Sequence, residues 1–102
     1  MTKLLPPHNV GETVLVEIED GSKRYYTVID EIVLVKSDSP NRALCFQRLR
    51  YRDTDLIQFR ACYYFATERE WVFTHNTPYL LDRDFQTITR EAVKRGWIKL
   101  NP

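Results

Sequence analysis

Residues 44–65 read LCFQRLRYRDTDLIQFRACYYF, two runs of alternating apolar and polar residues hinged on the acidic break Asp53-Thr54-Asp55. Alternation with a period of two marks a half-buried β-strand, and two such runs about a short polar break form a hairpin. The same alternation predicts the register. One pairing sets Leu49 opposite Phe59 and Tyr51 opposite Ile57 on an apolar face, with Arg48 opposite Arg60 and Arg50 opposite Gln58 on the other. The neighbouring register sets Arg50 against Ile57 and Arg48 against Phe59, which mixes the faces. A one-residue slip flips every side chain, so the spacing favours the first. In that register Cys45 faces away from Cys62, and the Arg48–Arg60 pair needs a counter-charge.

Working outward, Thr13 to Glu19 alternates Val14, Val16 and Ile18 against Leu15, Glu17 and Glu19. Asp20-Gly21 after it reads as a two-residue type I′ turn, which places Glu17 opposite Arg24 and Val16 opposite Tyr25. Lys23 to Lys36 is a long second strand, with a bend or bulge expected at Asp30-Glu31 and a more buried stretch from Ile32 to Val35. Ser37 to Arg42 is a loop by composition. Trp71 to His75 forms a fifth strand, with Trp71 and Phe73 matched to Phe65 and Tyr63.

A Thr77-Pro78 turn precedes a helix over about Arg83 to Arg95. Asp82 is its expected N-cap, Asp84 lies in the first turn, and Lys94 and Arg95 lie in the last. Gly96 is placed to close it, with Trp97 as the apolar partner. Phe85, Ile88, Ala92 and Val93 make the buried stripe, with Arg83, Arg90 and Lys94 outside. Trp97 to Leu100 reads as a strand-like end.

The sum is one α+β domain over residues 1–102: a leader (1–11), a β meander (12–76), a helix (82–96) and a tail (97–102). The fold expected is a curled, mostly antiparallel sheet of about five strands, barrel-like, with one C-terminal helix packed on it.

Composition narrows the function classes. A chain that is 43% hydrophobic and 28% charged is globular and not a disordered tail. Its 13% aromatic content is more than one small core absorbs. The net charge of +1 hides an asymmetry. Residues 1–41 hold four Lys and Arg against seven Asp and Glu, and residues 42–102 hold eleven against seven. All three glycines stand at turns or ends, leaving none for a phosphate-cradling loop. Cys45 and Cys62 have no Cys-x-x-Cys or His-pair spacing, so no metal and no cofactor are expected. The start carries no apolar targeting segment and no apolar run is long enough to span a bilayer, so a cytoplasmic protein without membrane contact is expected.

The remaining cluster is Arg48, Arg50, Arg52, Gln58, Arg60 and Tyr64. Guanidinium groups beside aromatic rings suit an anionic partner, either nucleic acid or an acidic protein surface. The expected function is therefore binding or assembly and not catalysis. A homodimer that covers Tyr25, Tyr26, Phe46, Tyr63, Tyr64 and Trp71 is the alternative. A third reading is a small enzyme with a site near His75, a histidine for which the sequence shows no acid or nucleophile partner.

Overall fold

The alternating runs fold as strands and the one helical pattern folds as a helix. The structure, a computed structural model, describes residues 5–74 and 78–99. Its strands are Thr13–Glu17 (β1), Lys23–Val35 (β2), Arg42–Tyr51 (β3), Ile57–Ala66 (β4) and Trp71–Thr74 (β5), each antiparallel to the next in chain order. The sheet curls into a half-barrel, and a helix, Asp82–Lys94 (α1), packs against β2. The α+β architecture expected from the sequence is the one observed. His75 and Thr77 lie outside the described residues, as does Leu100. Trp97 to Lys99, expected to be strand-like, has no strand pairing.

Three hairpins differ from the expected pairing by one residue, and glycine supply explains the first two. Among the described residues only glycines take positive φ, and Gly21 sits at 86°. A type I′ turn would require Asp20 there as well. The chain instead makes a three-residue loop, Glu19-Asp20-Gly21, closed by glycine in the left-handed region. The Ile18 N–H donates to the Ser22 carbonyl, and the Gly21 N–H to the Ile18 carbonyl, both at 2.9 Å. Val16 therefore faces Arg24, and Glu17 faces Lys23. The Asp20 carboxylate accepts the Ser22 N–H at 2.8 Å and hydroxyl at 2.6 Å, which hold it below the ordinary aspartate range. A Cβ at Gly21 would meet nothing within 4 Å, so Gly21→Ala tests backbone strain alone. It should cost about 1 kcal/mol in urea denaturation, and Gly21→Asn clearly less.

The central hairpin has no glycine. The expected register would close a three-residue loop at Asp55 in the left-handed region. The chain uses a four-residue loop in its place: the Tyr51 N–H donates to the Leu56 carbonyl at 2.9 Å and the Thr54 N–H to the Tyr51 carbonyl at 3.0 Å. That shift sets Leu49 opposite Gln58, Arg50 opposite Ile57, Arg48 opposite Phe59 and Gln47 opposite Arg60. The expected Arg48–Arg60 pair does not form, and Cys45 lies directly opposite Cys62 on the same face. The premise of one wet face and one dry face is what failed. Ala43, Leu44 and Cys45 follow one another in β3 and all are buried, because both faces are covered. In the turn before β5 the Thr67 N–H donates to the Glu70 carbonyl at 2.8 Å and the Thr67 hydroxyl accepts the Glu70 N–H at 3.1 Å, so Trp71 faces Ala66 and Phe73 faces Tyr64, in place of Phe65 and Tyr63.

One face of the sheet carries Tyr26, Val28 and Leu49 as a buried cluster, flanked by Val14, Val16 and Tyr51. The leader crosses this side. The Asn9 backbone N–H and side-chain amide both donate to the Glu31 carboxylate at 2.9 Å, and the Trp71 indole N–H donates to the Leu5 carbonyl at 2.8 Å. Beneath it the Gln47 amide donates to Glu31 at 2.9 Å and accepts from Arg60 Nε at 2.7 Å. Asn9→Ala removes one of the leader's two bonds to Glu31 and should lower stability by about 1.5 kcal/mol, read from the urea midpoint.

The other face carries α1. The bulge expected at Asp30-Glu31 falls one step earlier, at Ile29, between Val28 and Asp30. It turns Asp30 to the helix side while Glu31 faces the leader. Leu81, and not Asp82, is the N-cap, and it makes no side-chain capping bond. The helix closes as expected: Gly96 (φ 77°) donates its N–H to the Val93 carbonyl and Trp97 to that of Ala92, the bond pair of a Schellman cap.

Candidate binding groove

α1 is held to the sheet by polar clamps at its two ends. At the first turn the buried Asp84 carboxylate accepts the Ser37 N–H at 3.3 Å, and Arg83 Nε donates to the Ser37 hydroxyl at 2.9 Å. At the last turn Arg95 donates to Asp30 Oδ1 at 2.8 Å and to the Glu31 carbonyl, and the Trp97 indole N–H donates to Asp30 Oδ2 at 2.8 Å. The side of the helix turned to the sheet is Asp84, Ile88 and Ala92. Phe85, expected in the buried stripe, is 60% exposed. It stands beside the contact line, because the helix rests over β2 and leaves the rest of the sheet face open.

Between the clamps lies an apolar groove of about 410 Å³, a size suited to small ligands or to a few side chains of a partner. Its floor is the in-register row Ile32, Phe46 and Ala61. Ile88, Ala92 and Phe85 form the helix wall, and Phe59, Trp97 and Ile98 close one end. Nine of the eleven lining residues are apolar, the others being Arg60 and Thr89. Phe59 is 55% exposed, and its ring packs against Trp97 at a centroid distance of 5.4 Å. Exposed rings grouped about a concavity mark an interaction surface more often than isolated ones do.

The structure divides the arginine set between locations. Arg48 and Arg50 lie on the helix face, in the rows next to the groove floor. Gln58, Arg60 and Tyr64 lie on the leader face, where Arg60 is bonded to Gln47. Arg52 is in the turn, its guanidinium 5.5 Å from the Tyr25 ring centroid. Among the described residues neither Glu68 nor Glu70 forms an ion pair with this set.

Arg48 is the distinctive member. It faces Asp30 on β2 and Phe59 on β4, and Trp97 reaches both of those neighbours. Asp30 is opposite Arg48 in register, yet its carboxylate is taken by Arg95, Trp97 and the Glu31 N–H. Arg48 Nε is shut off from solvent with no hydrogen-bond partner among the described residues. The sequence pattern points to Arg48 but does not outline the groove. Phe85 carried the available signal, since its helix has no other large aromatic residue.

On the leader face Cys45 and Cys62 are buried thiols with no disulfide. Burial pushes both thiols above the ordinary range, and burial followed by the neighbouring thiols raises Tyr64 to about 12. These groups keep their protons to higher pH when folded than when unfolded. Their stabilising effect is therefore complete below the unfolded thiol value of 9.0 and is lost as pH rises above it. Urea midpoints at neutral and strongly alkaline pH should show this fall, and Cys45→Ala with Cys62→Ala should reduce it. Among the described residues no three His, Cys, Asp or Glu side chains converge to hold a metal ion. No described helix is long and apolar enough to cross a membrane. No protein-family model, curated protein or solved structure matches the chain.

Proposed function

We propose that this protein is a non-enzymatic interaction domain whose working surface is the groove between α1 and the sheet. It takes an apolar segment of a partner protein, with Arg48 and Arg50 beside the contact as its basic margin. The carrying observation is a helix clamped by polar groups at both ends over a groove lined by nine apolar residues of eleven. Burial of apolar surface yields about 25 cal/mol per Å², so filling this groove favours association and the basic margin adds to it.

The division of the arginines favours an acidic protein over nucleic acid. A phosphate backbone is bound by a continuous basic track, whereas Arg60 is turned to the opposite face from Arg48 and Arg50. The free thiols suit a reducing cytoplasmic setting.

The test is Ala61→Arg, which places a charged chain on the groove floor. Binding of the uncharged apolar dye N-phenyl-1-naphthylamine should weaken at least about tenfold, while near-ultraviolet circular dichroism stays native. Unchanged dye binding by the folded variant would rule the groove out as the site. A salt-sensitive shift of a single-stranded oligonucleotide, abolished by Arg48→Glu with Arg50→Glu, would replace this reading with nucleic-acid binding.

A further inference from the structure

We infer that the groove selects a partner segment that carries a carboxylate next to its apolar residues, and that Arg48 receives that carboxylate. The inference rests on the reading of the groove as the binding surface and adds the chemistry of the occupant: an amphipathic helix of a partner protein with Asp or Glu at one end of its apolar stripe.

The charge balance at the groove's closed end carries it. In the row next to the floor, Asp30, Arg48 and Phe59 stand side by side on β2, β3 and β4. An acid opposite an arginine ordinarily satisfies it. Here Asp30 serves the helix clamp instead, one oxygen toward Arg95 and the other toward the Trp97 indole. Arg95 is doubly engaged, by Asp30 and by Glu91, each at 2.8 Å. Arg48 therefore keeps its charge without an ion-pair partner among the described residues, and its Nε is buried without a hydrogen bond among them. The next row adds Arg50, exposed and opposite Ile57. Phe59 joins the two features, because it lines the groove and is the direct cross-strand neighbour of Arg48.

An arginine left in this state binds a carboxylate strongly. The guanidinium fork matches carboxylate geometry, charge-assisted bonds are about twice as strong as neutral ones, and partial burial weakens solvent screening. A purely apolar segment would fill the groove but leave Arg48 as it is. A basic segment would meet an uncompensated positive charge, so one site both attracts acidic partners and rejects basic ones.

Trp97 provides the readout. In a Trp71→Phe background it is the sole tryptophan, and it stands at the groove's closed end. Two acetylated and amidated peptides share leucines at helical i, i+3, i+4 and i+7 spacing. One has Glu at each end of the stripe and the other has Gln. The Glu peptide should bind at least about tenfold tighter at low salt, a difference expected of one charge-assisted contact. Arg48→Gln should erase that difference while the Gln peptide binds as before. If the variant does not fold, the parent protein at high salt serves in its place, and the Glu preference should shrink toward the Gln value.

Equal affinity of the two peptides for the parent protein overturns this inference and leaves the groove reading standing. Binding of neither peptide, with native circular dichroism, overturns both. A Trp97 signal that depends on protein concentration without peptide, with a dimer in light scattering, overturns the inference in favour of a second copy of this chain.

Discussion

Replacing Gln47 by leucine should destabilise the fold by about 3 kcal/mol, although the substitution puts an apolar side chain in a site that is 1% exposed. Gln47 is the only described residue that touches both charged ends of the network beneath the leader. Its amide N–H donates to Glu31, and its carbonyl accepts from Arg60 Nε and the Cys62 thiol. Leucine keeps the volume but takes one of three donors from a carboxylate that is only 6% exposed, leaving it the two Asn9 bonds, and removes the acceptor of Arg60 Nε. The lost bond to the Glu31 carboxylate costs about 1.5–3 kcal/mol and the unpaired Arg60 Nε about 1–3 kcal/mol, against a gain of about 1–2 kcal/mol for the added apolar burial. The double variant Gln47→Leu with Glu31→Leu should not recover the stability, because it also removes the acceptor of both Asn9 bonds and still leaves Arg60 Nε without Gln47. Urea denaturation of the four proteins in the cycle measures this directly. A loss below about 1 kcal/mol for Gln47→Leu alone would mean that water reaches the network and that the leader does not seal it.

The hairpins show what a sequence reveals about such a fold and where it stops. Strand identities followed from the alternation in Thr13–Glu17, Lys23–Val35 and Leu44–Phe65, and the helix end followed from Gly96 and Trp97. Register did not, because alternation identifies faces only when one of them meets water. Leader and helix each cover part of a face here, so polar and apolar residues mix along β3, and Arg48 stands beside Phe59 with its Nε buried and unpaired among the described residues. The decisive signal was in the turns. Gly21 allows a three-residue loop, and the absence of glycine between Tyr51 and Leu56 imposes four residues. Applied to the loop tips first, that rule separates the two registers. The network of Asn9, Glu31 and Gln47 joins residues 22 and 16 positions apart and has no local signature. Phe85 belongs to the apolar stripe yet stands exposed, because amphipathicity tells which stripe of a helix is apolar, not how much of it the sheet covers.

Replacing Asp30 by alanine should free the C-terminal end of α1 from the sheet. Asp30 is the shared acceptor for Arg95, Trp97 and the Glu31 N–H, and β2 is the strand whose backbone lies nearest the helix. Charge-assisted bonds of this kind contribute about 1.5–3 kcal/mol each when sheltered, and less at a site that is one-third exposed, so a total of about 2–3 kcal/mol is expected. The loss should not be uniform. Amides of α1 should exchange through local opening, while β3, paired on both sides, keeps the protection set by global unfolding. The variant also leaves Arg48 and Arg95 without an acid between them, so repulsion adds to the loss of the clamp. Asp30→Asn separates the two effects: its amide carbonyl still accepts one donor, while the charge is gone. If hydrogen exchange slows or rises equally in α1 and β3, the clamp is not what fixes the helix. If only α1 loosens, the same variant should lose the peptide selectivity assigned to Arg48, because the wall that faces the groove is then no longer held in place.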